Sequence, residues 1–282
     1  MSGMERLTRI QLEEATDFLA HELPFINTVD LVVQFGSGQT ADGLLDEEWN
    51  RLPLQHMPHM PFEESLANHR LEIIWGTLAG RKVLVLAGRY HMYEGYGRIP
   101  CVLPIWAAAH CGARNFLLTN ASAAISDELQ PGNFLCLADH INNLGVSPLA
   151  GLQHLLNTPY IDMTRTYSPE LRDDFMAAAR KTGLTIQSGV YMANLGPHFE
   201  TPAEVRMAET IGADVLGMST VLEATTAHAL KARVAAVSMI CNHATGRKAS
   251  ENSPTAEILR ESGRRLVAAI RAWLADGASS LL

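Results

Sequence analysis

Val83-Leu84-Val85-Leu86-Ala87 runs directly into Gly88-Arg89-Tyr90-His91-Met92-Tyr93-Glu94-Gly95-Tyr96. Five consecutive apolar residues closed by a glycine fit a buried strand. The Arg, His, Tyr and Glu side chains crowd just beyond it, at the carboxyl end of the strand, where α/β sheets place ligand chemistry. A solvated polar loop is the plainer alternative for this segment alone. Just upstream, Ile73-Ile74-Trp75 reads as a second strand, and Ala79-Gly80-Arg81 supplies a turn between them, so the pair forms an antiparallel hairpin.

Outward from the hairpin, apolar runs alternate with helical patterns. Residues 7 to 22 carry Leu7, Ile10, Leu12, Ala15, Phe18 and Leu19 at helical spacing, and Leu31-Val32-Val33 follows as a strand. Residues 99 to 112 repeat apolar positions at helical spacing up to Gly112. Strands are expected at 116–119, 134–138, 188–192, 215–218 and 234–240. Helices are expected at 169–182, after the cap Ser168 and Pro169, from near Ala203, at 223–233, and from about Thr255 to Leu274. No repeat or linker divides the chain. The pattern predicts one α/β domain over residues 1–282, with a central mixed, partly parallel β-sheet flanked by helices.

With 282 residues, 47% of them hydrophobic and 18% charged, the chain has ample material for a large core. Its net charge of −8 argues against a nucleic-acid partner, because phosphate backbones reward clustered Lys and Arg. Cys101, Cys111, Cys136 and Cys241 match no zinc spacing and read as reduced core residues. His56, His59 and His69 lack the strand or helix context of a metal cluster, so no metal is expected. No apolar run reaches membrane-spanning length and no signal-peptide pattern opens the chain, which leaves the cytoplasm as the expected compartment and excludes a membrane partner.

The expected strand ends collect small, hydroxyl and amide residues: Gly36-Ser37-Gly38, Asn120-Ala121-Ser122, Ser219-Thr220 and Asn242-His243. Such residues leave room for a ligand and supply neutral hydrogen bonds to it. Gly196-Pro197-His198-Phe199-Glu200-Thr201-Pro202 adds a carboxylate beside an aromatic ring. Glu200 reads equally as a ligand contact or as a favourable charge at a helix start.

These stretches, with Asp139-His140-Ile141-Asn142 and Gly217-Met218 among them, resemble in order and approximate spacing the trimeric, low-molecular-mass purine nucleoside phosphorylase family, of nucleoside phosphorylase/methylthioadenosine phosphorylase type, over roughly residues 29 to 275. The resemblance implies a phosphorylase/hydrolase-like fold. It also implies phosphorolysis of a purine nucleoside, with a 6-oxopurine such as inosine or guanosine preferred. The products are free base and ribose 1-phosphate, with inorganic phosphate as cosubstrate, no cofactor, and a homotrimer as the working assembly. By position it assigns phosphate to Ser37, His69, Arg89, His91, the Ala121 amide and Ser219. Ribose falls to Tyr93 and Met218, and the base to Phe199, Glu200 and Asn242. His91, Glu200 and Asn242 carry the catalytic roles. Apart from the resemblance, His69 fits a surface histidine and Met218 fits core filler.

The chain also departs from the family. Gln39-Thr40 stands where a Gly-Leu-Gly continuation is usual, and Ser122-Ala123-Ala124 where Ala-Gly-Gly is. Alanine resists the positive φ that glycine permits, which puts the base site in question there. A histidine for the ribose 5′ end would fall at Thr255 or its neighbour, and an aromatic residue given across the trimer near Leu155 or Leu156, with Tyr160 nearby. His228 and His243 receive no role. Two other readings stay open: a nucleoside-binding protein of the same fold with lost or altered activity, and a phosphorylase preferring xanthosine or methylthio nucleosides.

Overall fold

The computed structural model describes residues 9–23, 25–62, 70–156, 158, 160–247 and 256–281. Its strands are β1 (Leu31–Phe35), β2 (Glu47–Pro53), β3 (Glu72–Leu78), β4 (Arg81–Ala87), β5 (Asn115–Ala124), β6 (Phe134–Asn142), β7 (Ile186–Ala193), β8 (Val215–Gly217) and β9 (Arg233–His243). Its helices are α1 (Arg9–Glu22), α2 (Ile99–His110), α3 (Pro169–Lys181), α4 (Pro202–Thr210), α5 (Val221–Ala229) and α6 (Ala256–Ala275). The strands form one mixed sheet in the order β2-β3-β4-β1-β5-β8-β7-β6-β9, and β9 pairs back onto β5 so that this half closes on itself. The expected hairpin is present, with Ile74 opposite Val85 across antiparallel β3 and β4.

Side chains alternate across the strands and divide the core into two layers. Val32, Leu84, Leu86, Phe116, Leu118 and Val234 face α1, α2 and α5. Leu31, Val33, Val85, Leu117, Ala235 and Val237 face α3 and α6. A smaller cluster, including Leu216, Met192 and Val205, seats α4 against the sheet end. Cys101, Cys136 and Cys241 are buried, Cys111 is half-buried, and all four are free thiols. Among the described residues no helix is long and apolar enough to cross a membrane.

Several boundaries differ from expectation. β5 continues to Ala124, β6 to Asn142 and β9 to His243, so polar residues expected beyond the strands lie within them. The ladder between β5 and β9 supplies backbone partners where side-chain polarity suggested a loop. Ala123 and Ala124 are therefore extended, and the missing glycines leave no positive φ to strain. β2 has no counterpart in the sequence reading because its residues are mostly exposed and carry no apolar run. α5 spans 221–229 rather than 223–233.

Candidate active site

β1, β4, β5 and β9 run parallel to one another, whereas β8 pairs with β5 in the opposite sense, with Ala123 opposite Leu216 and Ala124 opposite Val215. The carboxyl ends of two oppositely running strand sets therefore meet at the β5–β8 junction. A cavity of about 350 Å³ opens there, a size suited to a nucleoside-scale ligand. Ser37, His91, Tyr93, Ala121, Phe199, Glu200, Met218, Ser219 and Asn242 line it, together with Gly217, Pro197 and Leu259. Nine of the sequence-selected residues thus converge from six separate segments.

At one end, Gly36 passes so close to β5 that an added Cβ would lie 2.7 Å from both Asn120 Cα and the Thr119 carbonyl oxygen, which excludes any larger residue. Gln39 secures the turn: its Oε1 accepts from the Gly36 amide at 3.0 Å and from the Thr119 hydroxyl, and its Nε2 donates to the Asn120 carbonyl at 2.9 Å. This clamp ties the turn that carries Ser37 to β5, so that Ser37 and Ala121 line the same cavity.

Beside it, His91 stacks on Tyr93 with ring centroids 4.8 Å apart, and its Nδ1 lies 3.2 Å from the buried Glu94 carboxylate. Glu94 also accepts from the His91 amide at 2.7 Å. A carboxylate on Nδ1 fixes the ring orientation and places the proton on that nitrogen. Burial pushes the Tyr93 hydroxyl up to about 12, so it remains a donor at working pH.

Arg89 is placed differently from expectation. It is 1% exposed and does not line the cavity. Its guanidinium donates to the Thr119 carbonyl at 2.7 Å and to Thr220 Oγ1 at 2.8 Å, and it pairs with the equally buried Glu223 of α5 at 3.4 Å. Thr220 Oγ1 also accepts from Asn120 Nδ2 at 2.8 Å. With two donors received, the Thr220 hydroxyl donates to Ser219 Oγ, 3.2 Å away, and frees the Ser219 proton for the cavity. Thr220 has φ +72°, a conformation unfavourable for a β-branched residue, which this network over-determines. The network continues inward, where Ser238 Oγ lies 2.6 Å from both Asn120 Oδ1 and Ser122 Oγ.

At the opposite end, Glu200 is 7% exposed at the threshold of α4 and accepts from Asn194 Nδ2 at 2.7 Å. Thr201 caps α4, exchanging hydrogen bonds with Glu204. Asn242 faces the same space because β9 carries a bulge: Ser122 pairs with Ile240 but Ala123 pairs with Asn242, leaving Cys241 as the extra residue. Both Cys241 and Asn242 consequently line the cavity, which regular alternation forbids. Burial pushes the Cys241 thiol up to about 12 and keeps it neutral.

His69 and Thr255 lie outside the described residues. Leu155 and Leu156 pack on the core, Tyr160 is 88% exposed, and Asp139-His140-Ile141-Asn142 lies along β6, away from the cavity lining. His59 pairs with Glu14 at 2.6 Å, His228 contacts the Asp162 carbonyl, and His243 is the buried last residue of β9. Sequence reasoning did not single out Gln39, Glu94, Asn194 or Glu223 as supports. Only Glu94, three residues after His91, carried a local signal.

A closed mixed sheet whose strand ends open on a largely apolar cavity with a few convergent polar groups defines a class, and the Phosphorylase superfamily matches this sequence over residues 30–275. Purine nucleoside phosphorylase 1 of Geobacillus stearothermophilus is 34% identical over 241 residues, covering 85% of this chain and 87% of that protein. Purine nucleoside phosphorylase of Mycobacterium tuberculosis is 39% identical over 218 residues, 77% of each chain. A Schistosoma purine nucleoside phosphorylase solved in complex with guanosine superposes with a TM-score of 0.79 at 28% identity, covering 98% of both chains. The chain belongs to the purine nucleoside phosphorylase family, and it is an enzyme of that activity.

Proposed function

We propose that the enzyme phosphorolyses 6-oxopurine nucleosides, inosine and guanosine, to the free base and ribose 1-phosphate. Inorganic phosphate is the cosubstrate, and no organic cofactor or metal takes part. The observation that carries this reading is the pairing, across one cavity, of the buried acceptor Glu200 with the neutral amide Asn242. A 6-oxopurine offers an N1–H donor to a carboxylate, while its N7 and O6 edge gathers charge as the N9–C1′ bond breaks, which an amide donor stabilises. Ser37, the Ala121 amide, Ser219 and His91 form the opposite end, suited to the phosphate that attacks C1′. Arg89, its charge paired with Glu223, acts there through Thr220. Tyr93 and Met218, between the two ends, suit the ribose. The Schistosoma relatives were solved with guanosine, a 6-oxopurine nucleoside, and with hypoxanthine, a 6-oxopurine base.

The test is base release from inosine, guanosine, adenosine, xanthosine and a 5′-methylthio nucleoside, with and without phosphate. The expected result is strictly phosphate-dependent release, at least tenfold faster from inosine and guanosine than from adenosine. Faster release from adenosine or the methylthio nucleoside overturns the base assignment. We propose a homotrimer as the assembly, supported by the nearly full exposure of Phe62 and Tyr160, aromatic side chains that a partner subunit would cover. Light scattering at micromolar concentration checks it, and a mass of one 30.8 kDa chain refutes it.

A further inference from the structure

Glu200 stands between two cavities. One is the active-site cavity; the other, of about 190 Å³, is lined by Asn143, Asn194, Met192, Leu195, Met207 and Glu200 itself. A glutamate side chain has three torsions, and a void on its far side offers it alternative rotamers. Asn194 closes that option. It leaves the end of β7 and donates from Nδ2 to Glu200 Oε1 at 2.7 Å, while its own Oδ1 accepts from Asn143 Nδ2, also at 2.7 Å. The carboxylate can only accept, so Asn194 turns Nδ2 toward Glu200 and Oδ1 toward Asn143, whose amide donates to it and holds the Asn194 side chain in place. Glu204, also in the second cavity, is committed to the Thr201 cap and does not compete.

We propose that Asn194, oriented by Asn143, is a positioning residue that tethers Glu200 against rotation into the second cavity and so presents its remaining oxygen to the purine. The inference rests on the base-site reading above. Glu200 touches the substrate; Asn194 acts only through it.

A double-mutant cycle on nucleoside kcat/KM at saturating phosphate, with the better of inosine and guanosine as substrate, isolates this role. Asn194→Ala is expected to lower kcat/KM about ten- to a hundredfold, the scale of one hydrogen bond to a charged group, with the KM for phosphate unchanged. In a Glu200→Ala background the same substitution is expected to cost less than about twofold, because no carboxylate remains to be held. Asn194→Asp, isosteric but lacking the donor and carrying like charge, is expected to lose more than Asn194→Ala, and Asn194→Ser to recover part of the loss. Asn143→Ala, at an exposed position, gives a smaller loss in the same direction without threatening the fold. Equal fold-losses from Asn194→Ala in both backgrounds, or a rise in phosphate KM, overturn the proposal in favour of a general structural role. If Glu200→Ala itself leaves nucleoside kinetics unchanged, the base-site reading fails and the tether with it, an outcome distinct from an active Glu200 that ignores Asn194.

Discussion

Gln39 stands where a glycine-containing loop is usual in the family, and its side chain does by hydrogen bonding what backbone freedom does there. It spans from the Gly36 amide to the ends of Thr119 and Asn120, joining the turn after β1 to β5. Gln39→Ala removes these bonds while leaving Ser37 in the chain, so the phosphate end loosens and the base end does not. The KM for phosphate is expected to rise about tenfold, with nucleoside KM nearly unchanged, as steady-state kinetics in both substrates will show. Arg89 carries a different cost. Its side chain is enclosed with Glu223, and Arg89→Ala leaves a buried carboxylate unpaired. The expected loss of fold stability is about 3–5 kcal/mol, read from urea unfolding, on top of weaker phosphate binding. An Arg89→Ala protein as stable as wild type contradicts the enclosed pairing. At this scale the lining residues were legible, since Ser37, His91, Ser219 and Asn242 sit beside expected strand ends. The supports were not: Glu223 meets Arg89 only when the fold brings α5 to the end of β4, and Asn194 meets Glu200, six residues along, across a loop whose path no local pattern gives.

The elements follow the same division. The β3–β4 hairpin, the Ser168–Pro169 start of α3 and the buried strands were readable from apolar runs, turn residues and caps, each a local signal. The lengths of β5 and β9 were not, because a ladder that protects small polar residues leaves no hydrophobic periodicity to see. Nor was the bulge at Cys241, which depends on how ten residues of β5 register against eleven of β9. Exposed β2 escaped for the opposite reason: it gains its order from pairing with β3 and buries almost nothing. α4 joins element and site, since its cap Thr201 follows Glu200 directly. Thr201→Ala removes an acceptor for the Glu204 amide and one of the two donors to the Glu204 carboxylate, with an expected cost of about 1 kcal/mol. Because the first turn of α4 sets the path of Glu200, the nucleoside KM is expected to rise severalfold while phosphate KM holds. A fall in thermal midpoint with no change in either KM would separate the cap from the site.

Across the whole molecule, the core's titratable groups set an alkaline limit. Burial pushes the Cys136 and Cys241 thiols from an ordinary value of 9.0 up to about 12, and the Tyr191 hydroxyl from 10.0 up to about 12. Cys101 and Tyr167 are displaced in the same direction by the same cause. In the folded chain these groups keep their protons; in the unfolded chain they release them once pH passes about 9 to 10. The folded state therefore binds more protons in that range, and unfolding free energy falls as pH rises. Each group contributes a slope of about 1.4 kcal/mol per pH unit between its unfolded and folded values and nothing below them. Stability measured by urea unfolding is accordingly expected to be insensitive to these groups below pH 8 and to drop steeply between pH 9 and 11. Replacing Cys136 with alanine costs some packing at neutral pH but removes one titrating group, so the variant's curve is expected to start lower and decline less steeply. A stability plateau extending to pH 10.5 in the wild type, or an identical alkaline slope in Cys136→Ala, would show that these protons are not held by the fold.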